Sequence, residues 1–216
     1  MHRCGRSNRC TQFVRAAASV KHLFLQRLRD RQCSSRENNM NDIFPYVVPV
    51  SYTTNFTQEQ LALCTSLGHD TFVLPVREVG RLCTNIQPEE IPAGVSIEQL
   101  HQIAIDNLER LAKAKTFSIA LHSGPEGIPF IVWTGHWLAA SCCILPGLVQ
   151  LASRTLKSTN NCVSIPHRET MIIFPNSAPT HLKLMRDFIF ENESMETKQI
   201  TWGLFSLNEH GLVPIQ

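Results

Sequence analysis

After residue 95 the chain repeats one order three times: helical periodicity, then two short apolar runs separated by turn residues. The turns are SGPEG (123–127), the PHRE corner (166–169) and NEHG (208–211). Loops this short cannot carry a parallel crossover, so each pair of runs should close as an antiparallel hairpin. An antiparallel sheet with helices packed on it is the α+β solution. The expectation is therefore an α+β fold: a sheet built from hairpins, with about three helices on one face. Leu100, Leu108, Ile119, Ile131, Ile172 and Phe188 should then share a single interior.

Local signals place the pieces. Ser96 opens the clearest helix, with Gln99 three residues on to complete a capping box. Ile97, Leu100, Ile103, Ala104, Leu108 and Leu111 follow at helical spacing, and the helix should end near Lys115. Residues 116–121 and 129–134 read as strands about the SGPEG turn. A second helix is expected over 137–156, kinked or split at Pro146-Gly147. The third should span 179–192, and the chain should close with strands at 200–207 and 212–215. Upstream, residues 43–50 are apolar but carry Pro45 and Pro49, which suits an edge strand. Residues 71–76 read as a short strand, 85–95 as a loop, and 51–69 give no clear signal.

Charge divides the chain at about the same place as the pattern does. Residues 1–39 hold nine Arg and Lys against two acids, a balance of +7, whereas 40–216 hold eleven against sixteen, a balance of −5. Three readings fit the basic segment: an organelle transit peptide, an arm for nucleic acid, and a disordered extension lying upstream of Met40. Composition favours the last, although residues 11–29 have rough helical spacing. The expected organisation is thus a basic extension (1–39) and one α+β domain (40–216). The mildly acidic body has no electrostatic reason to seek nucleic acid, so any such contact would run through residues 1–36. No apolar run of about 18 residues suggests a membrane span. The eight cysteines lack disulfide or CxxC spacing, so free thiols in a reducing cytoplasm are expected.

The densest polar cluster is His167-Arg168-Glu169. At a hairpin tip His167 or Glu169 could act as a general base and Arg168 could hold an anion. Equally, turns are polar because their backbones must meet water. His136 and Ser141 are the nearest candidates to complete a site. Cys142-Cys143 could be nucleophiles, but Ala139-Ala140 and Ile144-Leu145 around them predict buried, inert thiols. The nine histidines show no HxH, HxxxH or HExxH spacing, and neither GxxxxGK[ST], GxGxxG nor GxSxG occurs. No metal or cofactor is therefore expected.

Several stretches together resemble the YtpQ-like family of uncharacterised bacterial proteins, a domain of unknown function. They are IFPYVVPVSY (43–52), IAIDNLERL (103–111), the helix start at Ala140-Ser141, IPHRETMII (165–173) and ITWGLFSLNEHGLVPI (200–215). The family's Asn-Leu-x-x-Leu helix end matches Asn107, Leu108 and Leu111. Its Pro-x-x-acid hairpin matches Pro166 and Glu169, and its Leu-x-Pro ending matches Leu212 and Pro214. Where family members begin the second helix with Asp-Ala-Ser-Arg, this chain has Ala139, Ala140, Ser141 and Cys142. The family's N-terminal portion has no counterpart either. The resemblance implies no established activity. A site built on that Asp and Arg would be absent here. The expectation is a non-catalytic module that binds a protein partner or regulates one. The alternative is a hydrolase or transferase working through His167, Arg168 and Glu169.

Overall fold

The computed structural model describes residues 40–80 and 82–216. The basic segment, and with it the helix read over 11–29, lies outside the described residues. Among the described residues ten strands form two sheets, antiparallel throughout. The first is four-stranded: β1 (Ile43–Pro49) and β2 (Thr65–Gly68) flank β3 (Thr71–Val79), and β4 (Leu82–Asn85) pairs with the far end of β3. The second comprises β5 (Ser118–Ser123), β6 (Pro129–Thr134), β7 (Asn161–Ser164), β8 (Met171–Pro175), β9 (Leu204–Asn208) and β10 (Gly211–Pro214). Its order is β10-β9-β7-β8-β6-β5. The three expected hairpins are β5–β6, β7–β8 and β9–β10. The α+β class and its hairpin construction thus stand.

Three helices of more than one turn accompany the sheets among the described residues: α1 (Ile97–Lys113), α2 (Leu148–Leu156) and α3 (Pro179–Glu193). At the start of α1, Ser96 Oγ accepts from the Gln99 N–H at 3.2 Å and Gln99 Oε1 accepts from the Ser96 N–H at 2.8 Å. Leu100, Ala104 and Leu108 form its buried stripe. Asn107 Nδ2 donates to the carbonyls of Met40 (2.6 Å) and Ile43 (2.7 Å), so α1 also grips the entry to β1. The expected second helix splits. A 3-10 segment (Ala140–Ile144) stops where Leu145, the residue before Pro146, turns extended at ψ 133°. Gly147, at φ 81°, then redirects the chain into α2. Pro179 starts α3 at a position where its missing N–H is harmless.

The single interior does not form, and the helices do not share one face. Along β8, Met171 and Ile173 face one cluster while Ile172 and Phe174 face another, so the second sheet is buried on both sides. One side, with Ile131, Val163 and Phe205, packs against Val47 and Val73 of the first sheet and Leu148 and Ala152 of α2. The other, with Phe130, Cys162 and Phe174, packs against Met185 and Ile189 of α3. A third cluster joins Leu100 and Ala104 to Ile43 and Ile86. Of the six residues expected together, Leu108 and Ile131 share the largest cluster, Ile172 and Phe188 the second, and Leu100 the third. Ile119 is 48% exposed, because β5 is an edge strand. The unbroken run MIIF is the signature of a strand covered on both faces.

One contact locks the two sheets together. His69 sits at φ 48° in the turn between β2 and β3. Its Nε2 donates to the Leu204 carbonyl at 2.9 Å, and its ring stands edge-on to Phe205 with centroids 5.0 Å apart. Gly203 makes room for that ring. A Cβ there would stand 2.8 Å from His69 Nδ1 and closer still to two ring carbons.

Candidate functional site

The connection between β7 and β8 is tied down from three directions. The Pro166 carbonyl accepts from the Ile200 N–H (2.8 Å), the Arg168 N–H donates to the Lys198 carbonyl (3.3 Å), and the Arg168 carbonyl accepts from the Ala140 N–H (3.1 Å). His167 is buried, and both of its ring nitrogens are engaged. Nδ1 accepts from the Glu169 N–H at 3.3 Å, and Nε2 lies 2.7 Å from Glu193 Oε2 in the last residue of α3. Because a backbone N–H can only donate, Nδ1 carries the lone pair and the Nε2 proton goes to the carboxylate. This histidine ties the hairpin to the end of a helix and has no nitrogen left for a substrate.

Arg168 points another way. Its Nη1 donates to the Tyr46 hydroxyl at 3.3 Å, while Nε and Nη2 donate to Glu169 Oε1 at 3.3 and 3.2 Å. Lys198 Nζ lies 3.8 Å from the same oxygen. Burial opposes the Arg168 charge, but the Tyr46 oxygen and the Glu169 carboxylate outweigh it, so its pKa is raised. Arg168 therefore stays a fixed cation.

The other sequence candidates have separate partners. Ser141 is buried, and its Oγ accepts from the Val47 N–H at 3.2 Å, filling a bond that the outer side of β1 would otherwise lack. His136 Nδ1 accepts from the Leu138 N–H at 3.3 Å, and its ring packs edge-on to Phe117. Burial lowers its pKa, against a smaller opposing pull from Glu78. Cys142 and Cys143 are buried thiols, pushed well up by desolvation, and Cys142 Sγ donates to the Leu138 carbonyl. Thiols in that state are poor nucleophiles. The structure brings Arg168 and Glu169 together and turns His167, Ser141 and His136 to other tasks. Among the described residues, no group of three His, Cys, Asp or Glu is placed to hold a metal ion.

Three surface features go beyond the sequence reading. A cleft of about 310 Å³ opens beside the hairpin tip, its lining including Arg168, Lys198, Tyr46 and Tyr52. A second hollow, of about 400 Å³, lies over α3 between Arg186, Phe190 and Trp202. The third feature is β5. Among the described residues it ends the six-stranded sheet and pairs only with β6, in an unbroken register from Ser118↔Thr134 to Ser123↔Pro129. Its sequence, SIALHS, has no charge and no proline, and Ile119 and Leu121 are about half exposed. The missing signal was positional: a strand's composition does not say which end of the sheet it occupies.

No protein-family model, no curated protein and no solved structure matches the chain.

Proposed function

We propose that residues 40–216 act as a protein-binding module without catalytic machinery, docking an extended segment of a partner along β5. The open edge carries this reading. Alternate residues of an edge strand present unpaired N–H and C=O groups, and proteins usually blunt such edges with charge, proline, bulges or a cover. The other sheet edges are managed in those ways. β1 has its Val47 N–H and Ile43 carbonyl filled by Ser141 and Asn107, and carries Pro45 and Pro49. β10 is short, ends in Pro214 and lies beside β2, and β2 and β4 have four residues each. Among the described residues only β5 offers an edge of six residues with apolar side chains on one face. The separate partners of His167, Ser141 and His136 support binding over a hydrolase or transferase, which asks these groups to converge.

The resemblance to the YtpQ-like family belongs to the same proposal and rests on the motifs quoted above. No helix among the described residues is long and apolar enough to cross a membrane. The free thiols of Cys64, Cys83, Cys142, Cys143 and Cys162 support placing the protein in the reducing cytoplasm. The test is capture of partners from cell extract by the full chain and by Leu121→Lys, a change at an exposed site that leaves the fold intact. The wild type should retain a partner that the variant loses, with circular dichroism unchanged. Equal capture by both, or none by the wild type, overturns the reading.

A further inference from the structure

We infer that the cleft beside the hairpin tip binds a small amphipathic carboxylate, a monoanion with a short apolar tail. The site is independent of the β5 edge. Its floor is apolar: Val47, Val48 and Ile200 are all buried and line the cleft. Tyr46 and Tyr52 form a wall, edge-on at 5.9 Å, and the Tyr52 hydroxyl is fixed by donating to Asn85 Oδ1 at 3.0 Å. Such a surface suits hydrocarbon with a polar group at one end.

The polar end is Arg168. A guanidinium has five N–H groups. Among the described residues three of them go to Tyr46 and Glu169, which leaves two, one on each terminal nitrogen. Two free N–H groups on a guanidinium held by three hydrogen bonds can grip one planar carboxylate. Net charge then chooses between anions. Arg168 and Lys198 line the cleft, and Glu169, outside its lining, lies within 3.8 Å of both. Two cations and one carboxylate leave a single net positive charge. A monoanion is matched. A phosphate dianion would bring unbalanced negative charge against Glu169. The volume, about 310 Å³, has room for about ten waters, so the occupant is a small molecule.

The experiment titrates the full chain with hexanoate, hexanol and inorganic phosphate at pH 8, where phosphate is mostly the dianion, followed by amide chemical shifts. Hexanoate should shift residues 46–52 and 198–200 saturably, with hexanol and phosphate weaker by about tenfold or more. Arg168→Lys keeps the charge but removes the fork, and should weaken hexanoate by about tenfold. The backbone bonds of residue 168 do not depend on its side chain, so this variant should still fold. Glu169→Gln is the second variant. It frees the cation and should tighten hexanoate while admitting phosphate. The proposal is overturned if hexanoate gives no saturable shift up to about 50 mM, if hexanol binds as well, or if either variant leaves affinity unchanged.

Discussion

Replacing His167 by Ala removes two hydrogen bonds at once, and the structure sets how much that should matter. The Nε2 bond to Glu193 spans 2.7 Å, and the two side chains are only 9% and 23% exposed. A hydrogen bond to a charged group in such a setting contributes about 1.5–3 kcal/mol, and the Nδ1 bond to the Glu169 N–H about 1 more. The carboxylate left behind can still reach water, which lowers the penalty. A loss of about 2.5 kcal/mol is expected, or about 5–10 °C in Tm for a chain of this size. Urea denaturation of the wild type, His167→Ala, Glu193→Ala and the double variant closes a cycle. The coupling energy should be about 1–2 kcal/mol. Glu193→Gln, whose amide oxygen can still accept from Nε2, should recover more than half of the loss. A coupling below about 0.5 kcal/mol would refute the claim that this pair holds the hairpin to α3.

Gly203→Ala should destabilise by about 2–3 kcal/mol, because the new methyl group displaces His69 from the Leu204 carbonyl and from Phe205. In a His69→Ala background the same change should become nearly neutral in urea denaturation, and an undiminished penalty there would point to another cause. His136 has a folded pKa lowered by burial, below its unfolded value of about 6.5. The unfolded chain therefore takes up a proton first as pH falls, and stability present above about pH 6.5 is lost below it. His136→Leu should flatten the fall in Tm between about pH 7 and pH 5, and an unchanged slope would assign that fall to other groups.

Local chemistry was legible in the sequence wherever one segment decides its own structure. Ser96 and Gln99 fix the start of α1, and Pro146-Gly147 enforces the break before α2. The three hairpins follow from turns with too few residues for any other connection. What escaped depends on partners far apart in the chain. β1 and β3 pair across residues 50–70, and nothing within either strand shows that they make a separate sheet. β4 and the exposed β2 carry too little apolar pattern to stand out. The MIIF run in β8 reads in the sequence as an apolar strand, but four residues do not show that both faces are covered until the neighbours are known. The same holds for the His167-Arg168-Glu169 cluster. Composition marks it as polar, whereas its chemistry is set by Glu193, Tyr46 and Lys198, none of which adjoins it.

β9 comes late in the chain yet lies between β7 and β10, and its Phe205 reaches the largest apolar cluster. A nascent polypeptide cannot pair β7 on that side, or cap Val47 and Val73 with Phe205, until residues 204–208 have emerged. Until then the emerging protein shows sticky surface to chaperones. A premature stop before residue 204 would turn an interior strand into a raw border, and such a product is fit for degradation rather than for partial service.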